Sequence, residues 1–223
     1  MSQHRQPTYC VFSRFQEGVL RLTDERPYAA LLAKGEDRRQ RILTAAQRLL
    51  KRHGWRGITL GRIAREAGVS PAGLLHHFES KEALLHAAVD ARDAYDESHA
   101  DMDADLITQL ESVAERFHRA PDLIGMFAVL LMENLDPDDP LHDRMFGRYR
   151  ASVRTVAEGI RRGQRAGRYR ADLDPDVKAV EIVAFLNGIE TSWLLDPSIP
   201  LTEVFTEYTG SLARQLAPVA DTP

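Results

Sequence analysis

Residues 63–85, IAREAGVSPAGLLHHFESKEALL, decide how this chain is read. Ala64 to Ser70 join two short helical patterns into a helix-turn-helix. Each residue type there has a physical reason for its place. Ala64 is small where the next helix crosses over it, and Gly68 supplies the backbone conformation of the turn. Ile63, Val69 and Leu74 fill the miniature core between the two helices. Ser70 caps the following helix, and Pro71 takes its first position, where the missing N–H would be unpaired in any case. Packed in this way, that helix projects its N-terminal half outward, where it can enter a major groove. Its start and that of the helix before it offer free N–H groups to phosphates.

The pattern extends in both directions. Thr59 caps a helix through Glu66, with Leu60, Ile63, Ala64 and Ala67 facing inward. Upstream, residues 38–52 place Ile42, Ala45, Ala46, Leu49 and Leu50 at three- and four-residue spacing beneath an Arg/Lys face, and His53-Gly54 ends that helix. Downstream, Ser80 caps a helix that opens with Lys81-Glu82 and runs on through Tyr95. Acidic residues or alanine followed by proline, as at Ala120-Pro121, Asp136-Pro137, Asp174-Pro175 and Asp196-Pro197, then punctuate the rest. They predict helices over roughly 103–119, 121–135, 140–166, 174–195 and 201–217. No stretch alternates long enough for a sheet, so the expected fold class is all-α.

Composition narrows the function. At 43% hydrophobic and 28% charged residues the 223-residue chain is globular, not disordered throughout. Its one cysteine, Cys10, excludes a disulfide framework and a Cys-rich zinc module. No apolar run approaches the ~20 residues of a membrane-spanning helix, and the N-terminus has no signal pattern, so a cytoplasmic protein without membrane partners is expected. The net charge of −4 conceals an asymmetry: residues 37–86 carry ten basic and four acidic side chains, residues 87–223 fourteen and twenty-five. A basic module on an acidic body points to a polyanion partner for the module, although a solvated basic helix face accounts for the charge equally well.

The motifs carry a resemblance. The run I-L-T-A-A-x-x-L, then G-W-R-G-I-T, I-A-R-E-A-G-V-S and G-L-L-H-H-F-E-S-K-E-A-L-L, between Arg41 and Ala88, resembles the DNA-binding domain of the TetR family of bacterial transcriptional regulators. The resemblance implies an N-terminal three-helix, helix-turn-helix DNA-binding domain followed by a larger helical ligand-binding and dimerisation domain. The expected domains are an N-terminal extension over 1–36 (a docked arm or a frayed tail), the DNA-binding domain over 37–86, the body over 87–217 and a tail over 218–223. Carried over residue by residue, the resemblance gives Thr59 and Lys81 phosphate contacts and lets Arg62 reach backbone or groove. It places Ser70, Pro71, Ala72 and Gly73 at the base-facing start of the recognition helix. Leu75 stands where the family usually has a tyrosine, followed by His76 and His77. Burial of Leu75, and packing of His77 against the first helix, are open alternatives.

For the body, Met126, Phe127, Leu130, Phe146, Tyr149, Val153, Phe185 and Trp193 are candidates to line a site for a small-molecule effector, although such side chains are more often plain core. Phe185, Gly188, Ile189, Ser192, Phe205, Tyr208 and Leu212 resemble the family's two-helix dimer face. A second arginine concentration, Arg144 to Arg170, is expected to face the acidic stretch Asp90–Asp105. There is no Walker loop, G-x-G-x-x-G, G-x-S-x-G or H-E-x-x-H, so no cofactor, metal or catalytic residue is assigned. The expected partners are double-stranded DNA, a small-molecule effector and a second copy of the chain. A constitutive DNA binder and a helical enzyme are the rival readings.

Overall fold

The computed structural model describes residues 25–99, 101 and 104–218, and among them all regular structure is helical. The helices are α1 (Glu25–His53), α2 (Leu60–Glu66), α3 (Pro71–His77), α4 (Lys81–His99), α5 (Leu106–Glu111), α6 (Val113–Arg119), α7 (Pro121–Glu133), α8 (His142–Arg165), α9 (Pro175–Leu195) and α10 (Leu201–Leu216). The chain divides into two units, residues 1–37 and 38–223. Of the first, the opening of α1 is described; the docked-arm and frayed-tail readings of residues 1–24, Cys10 included, lie outside the described residues. Helix therefore begins at Glu25, well ahead of the expected start at residue 38. The run Ala29-Ala30-Leu31-Leu32-Ala33-Lys34 consists of strong helix formers that a reading keyed to the Arg/Lys face passes over.

In the second unit the caps fall where local hydrogen bonding predicts. Thr59 Oγ1 accepts from the Arg62 N–H at 3.3 Å, and Ser70 Oγ from the Gly73 N–H at 3.0 Å. Ser80 Oγ accepts from the Ala83 N–H at 3.0 Å. Gly54 and Gly68 have φ of 64° and 65°, the left-handed conformation that side chains disfavour. The expected helix over 103–119 is instead two, α5 and α6, parted at Ser112. The Ser112 hydroxyl donates back to the Gln109 carbonyl at 2.7 Å, a local bond that competes with the continuing helix.

The core is built in three clusters, and α7 bridges two of them. The first gathers Ile42, Leu50, Ile63, Leu74 and Leu85 of α1 to α4 around Leu123, Met126, Phe127 and Leu130 of α7. The second packs Phe117, Ile124, Trp193 and Phe205, and the third Leu106, Ile160, Ile182 and Leu212. The expected boundary between residues 86 and 87 falls inside α4, and the first cluster runs across it without a break.

Three polar contacts hold the corner between α1 and α2 against α7 and the loop after it. The Trp55 N–H donates to Glu133 Oε2 at 2.7 Å, Arg56 pairs with Asp139 at 2.6 Å, and Lys51 pairs with Asp122 at 3.2 Å. The stem of Lys51 lies over Gly125, where a Cβ would collide with it.

Candidate nucleic-acid interface

The turn between α2 and α3 is closed by the Gly68 N–H bonding the Arg65 carbonyl at 3.2 Å and the Val69 N–H bonding the Ala64 carbonyl at 2.9 Å. Ala64, Ile63 and Leu74 are buried beneath it. This packing leaves one face of the pair in solvent. Thr59, Ser70, Pro71, Ala72 and His76 are exposed, Arg62, Gly73 and His77 are half-buried, and Leu75 is 47% exposed. Burial of Leu75 is thus corrected: period and spacing turn it outward, between Ala72 and His76, while Leu74 takes the core position. All ten residues assigned to this face belong to one continuous segment, Thr59 to Lys81.

Its cations are braced by rings. Arg62 Nη2 lies 2.7 Å from His53 Nε2, and Lys81 Nζ sits 4.6 Å from the centre of the Trp55 ring. Trp55 links this face to the body. Its ring carries Lys81 and its backbone is held by Glu133, so the position of Lys81 is set partly by the body. Arg39 lies 5.3 Å from the Phe78 ring centre. What this face can do chemically is bind a polyanion through backbone N–H groups and braced cations, with Leu75 available for apolar contact with a thymine methyl.

The body contains a cavity of about 680 Å³ between α4, α6, α7, α8 and α9. That volume is within the range of small-molecule sites. Its wall is not the one the sequence suggested. Of the eight candidate residues only Phe127 lines it. Met126 and Leu130 are fully buried in the first cluster, and Trp193 is packed in the second against Phe117 at 6.2 Å between ring centres. Phe185 stacks on Tyr208 at 3.5 Å between ring centres, and Phe146 is 53% exposed. Tyr149 and Val153 are half-buried on α8, beside the lining residues but not among them. The reason is one of geometry: aromatic side chains at helical spacing fill the gaps between helices, which is what a core requires.

The cavity wall is charged instead. Arg92, Asp93 and Asp96 of α4, Arg116 of α6, Arg144 and Arg148 of α8 and Glu190 of α9 line it beside Phe117, Ile124, Val183 and Leu186. Arg144 pairs with Asp90 and Asp93, both at 2.6 Å; Arg148 bonds Asp93 and lies 2.6 Å from Asp96. The expected pairing of the second arginine concentration with the acidic stretch of α4 is thus present at these two residues. Burial pushes the Glu190 carboxyl above the usual carboxylate range, against the opposing pull of Arg92 and Arg148. Arg92, Arg116 and Glu190 were missed in the sequence, and a signal existed for two of them. Arg92 follows Leu85, Ala88 and Val89 on the buried stripe of α4, and Glu190 follows Val183 and Leu186 on an apolar helix.

The proposed dimer residues also separate. Phe205 and Leu212 are buried in their own subunit and cannot reach a partner, because α10 turns them onto α6 and α5. Ile189, Phe185 and Tyr208 are half-buried, whereas Gly188 and Ser192 are exposed.

Residues 42–88 match the family model described as bacterial regulatory proteins, tetR family. Over 51 residues the chain is 39% identical to the HTH-type transcriptional regulator UidR of Escherichia coli (strain K12), which covers 23% of this chain and 26% of that one. The chain thus spans about a quarter of the length of that relative. With the HTH-type transcriptional regulator PksA of Bacillus subtilis (strain 168) the identity is 24% over 176 residues, 73% of this chain and 81% of that one. The solved structure of a TetR transcriptional regulator from Chloroflexus aurantiacus superposes with a TM-score of 0.69 at 22% identity, covering 83% of this chain and 98% of that one. The match in sequence is concentrated in the helix-turn-helix, and the match in fold extends over the body.

Proposed function

We propose that the chain, whose residues 42–88 match the family model of the tetR bacterial regulatory proteins, is a ligand-responsive transcriptional regulator of that family. In this reading it is a repressor that binds a palindromic operator as a homodimer and lets go when a small molecule occupies the body. The observation that carries the reading is the exposed face of α2 and α3 on a basic module, above a buried Ala64–Leu74 core. Thr59 and Lys81 meet phosphates, Arg62 meets backbone or groove, and Ser70, Pro71, Ala72, Gly73 and Leu75 face the bases. With four of those five unable to offer a side-chain hydrogen bond, DNA shape and thymine methyls contribute to sequence preference.

The dimer is supported by α9. This helix carries apolar residues on two opposite sides, a pattern that fits a helix covered on both. Ile182, Val183 and Trp193 face their own subunit. On the opposite side Val177, Val180, Ala184, Gly188, Thr191 and Leu195 recur at three- and four-residue spacing, all exposed. A second copy covers this stripe in a four-helix bundle with α10 at its edge.

Release follows from linkage. α4 carries Lys81 at its start and Arg92, Asp93 and Asp96 in the cavity wall, about 16–22 Å further along the same helix. An effector that prefers a shifted α4 disfavours the spacing of recognition helices that fits the operator.

The test is selection of duplex fragments from a random pool by the full chain, followed by fluorescence anisotropy on the enriched sequence at several salt concentrations. A palindrome binding two copies, with affinity falling steeply as salt rises, is expected. Absence of enrichment, or an affinity indifferent to salt, refutes the reading. Retention of the operator under every compound bound by the body leaves a constitutive DNA binder.

A further inference from the structure

The cavity wall holds three polar atoms with unmet hydrogen bonds. Arg92 Nη1, Arg116 Nε and Glu190 Oε1 are buried and have no hydrogen-bond partner among the described residues. Arg92 and Glu190 are 6% and 5% exposed, so water cannot freely compensate them, and leaving such groups unmet is costly. Their surroundings define what meets them. Asp96 draws the two arginines together, accepting from Arg92 Nε at 2.9 Å and lying 3.9 Å from Arg116 Nη1, and it also takes Arg148. Asp93 is shared by Arg144 and Arg148. The wall thus asks two half-buried carboxylates to serve four guanidinium groups, helped at the outside by exposed Asp90.

Glu190 is the remaining carboxyl, and its burial favours the neutral form. In that form the inner wall has more cation than anion. Burial also lowers Arg116, and the neighbouring Arg92 adds to that effect, as expected for two guanidiniums crowded on one aspartate. An ammonium group directed to Glu190 Oε1 would meet Arg92 Nη1, which stands 3.5 Å from that oxygen. An aromatic ring seeking Phe127 would find Arg148 and Arg92 already there, 4.3 and 5.2 Å from its centre. What is left for a ligand is a pair of donors and an aliphatic surface.

We propose that the cavity takes a carboxylic acid with an apolar body, its carboxylate accepting from Arg92 Nη1 and Arg116 Nε beside Glu190 and its body lying against Val183 and Leu186. The exposed α8 stripe Gly147, Ala151 and Thr155 lines the open side through which it enters. That such an acid also controls DNA binding rests on the regulator reading above; the chemistry of the site does not.

Calorimetry on the full chain without DNA, titrated with octanoate, octanamide and octylamine, tests the site. Octanoate binds about tenfold or more tighter than octanamide, the margin expected of a charge-assisted pair, and octylamine is the weakest. Arg116→Gln brings octanoate and octanamide to within about threefold of each other, and Glu190→Gln, which mimics the neutral carboxyl, keeps the octanoate preference. Equal affinity for octanoate and octanamide, tighter binding of octylamine, no heat with any of the three, or an unchanged preference in a folded Arg116→Gln overturns the proposal. Should Arg116→Gln lose its helical circular dichroism, the three-compound comparison on the parent chain decides alone. Octanoate that binds without releasing the selected operator overturns only its role as effector. A chain that selects no operator overturns the regulator reading and leaves the calorimetric result standing.

Discussion

The helix-turn-helix face and the cavity both contain arginines, and the two regions use them in opposite ways. On the face, Arg62 leans on His53 and Lys81 on the Trp55 ring, so the named supports hold the cations in place while their charge points outward. In the cavity, Arg92, Arg144 and Arg148 are bound to Asp90, Asp93 and Asp96 of α4. The first arrangement keeps a field for a distant polyanion; the second pairs charge off within the cavity wall, where it acts at short range. A basic run in a sequence therefore has no single meaning, because its effect depends on whether carboxylates fold against it.

The largest effect is expected where the two regions depend on pairing of whole chains. Gly188→Arg places a long cation in the exposed α9 stripe, and the site has open space, with nothing within 4 Å of an added Cβ. The variant should keep its helical circular dichroism and sediment as a monomer. Operator affinity should fall by about a hundredfold or more, because two half-sites are no longer read together. A dimer that survives moves the interface away from α9.

The next effect tests whether the face is independent of the body. Glu133→Ala removes the acceptor of the Trp55 N–H and should cost about 1–3 kcal/mol of stability, read as a lowered midpoint in chemical denaturation. Gly54→Ala should be of similar size, since its φ of 64° disfavours a side chain and its Cβ would strike the Glu133 carboxylate. Unfolding of both variants in one transition means that the face and α7 form one cooperative unit, as the shared first cluster implies. Two transitions would mean that the contact at Glu133 is incidental.

A smaller effect is expected at Lys81. Lys81→Ala should weaken binding to all duplexes alike and reduce the slope of log affinity against log salt by about one. Loss of sequence preference in this variant would instead put Lys81 on the bases.

The smallest effect separates the cavity from the face by pH. The Glu190 carboxyl is raised in the folded chain, so the folded state holds its proton more tightly than the unfolded state does. Its favourable contribution is complete below the ordinary carboxylate range and is lost as pH rises through the folded value. Glu190→Gln removes this dependence: the stabilities of parent and variant should converge in acid and diverge in the variant's favour towards neutral pH, measured by urea denaturation across that window. A parent that gains stability relative to the variant over the same rise would mean that the ion pair with Arg92 outweighs burial.

By itself the sequence determined the all-α class, the caps at Thr59, Ser70 and Ser80, the left-handed turns at Gly54 and Gly68 and the outward face of α3. These rest on hydrogen bonds and packing between residues a few positions apart, so local order carries the information. It also placed Arg144 and Arg148 opposite the acids of α4, because strong opposite charges on amphipathic helices have few other places to go. The tertiary structure alone decided that Phe205, Leu212, Met126 and Leu130 are core, that Phe146 is exposed, and that Arg92, Arg116 and Glu190 meet in one cavity. For helices as apolar as α7 and α9, periodicity does not distinguish one side from another. Which side faces a core, a cavity or solvent is settled by how distant helices stack, and no short window of residues contains that stacking.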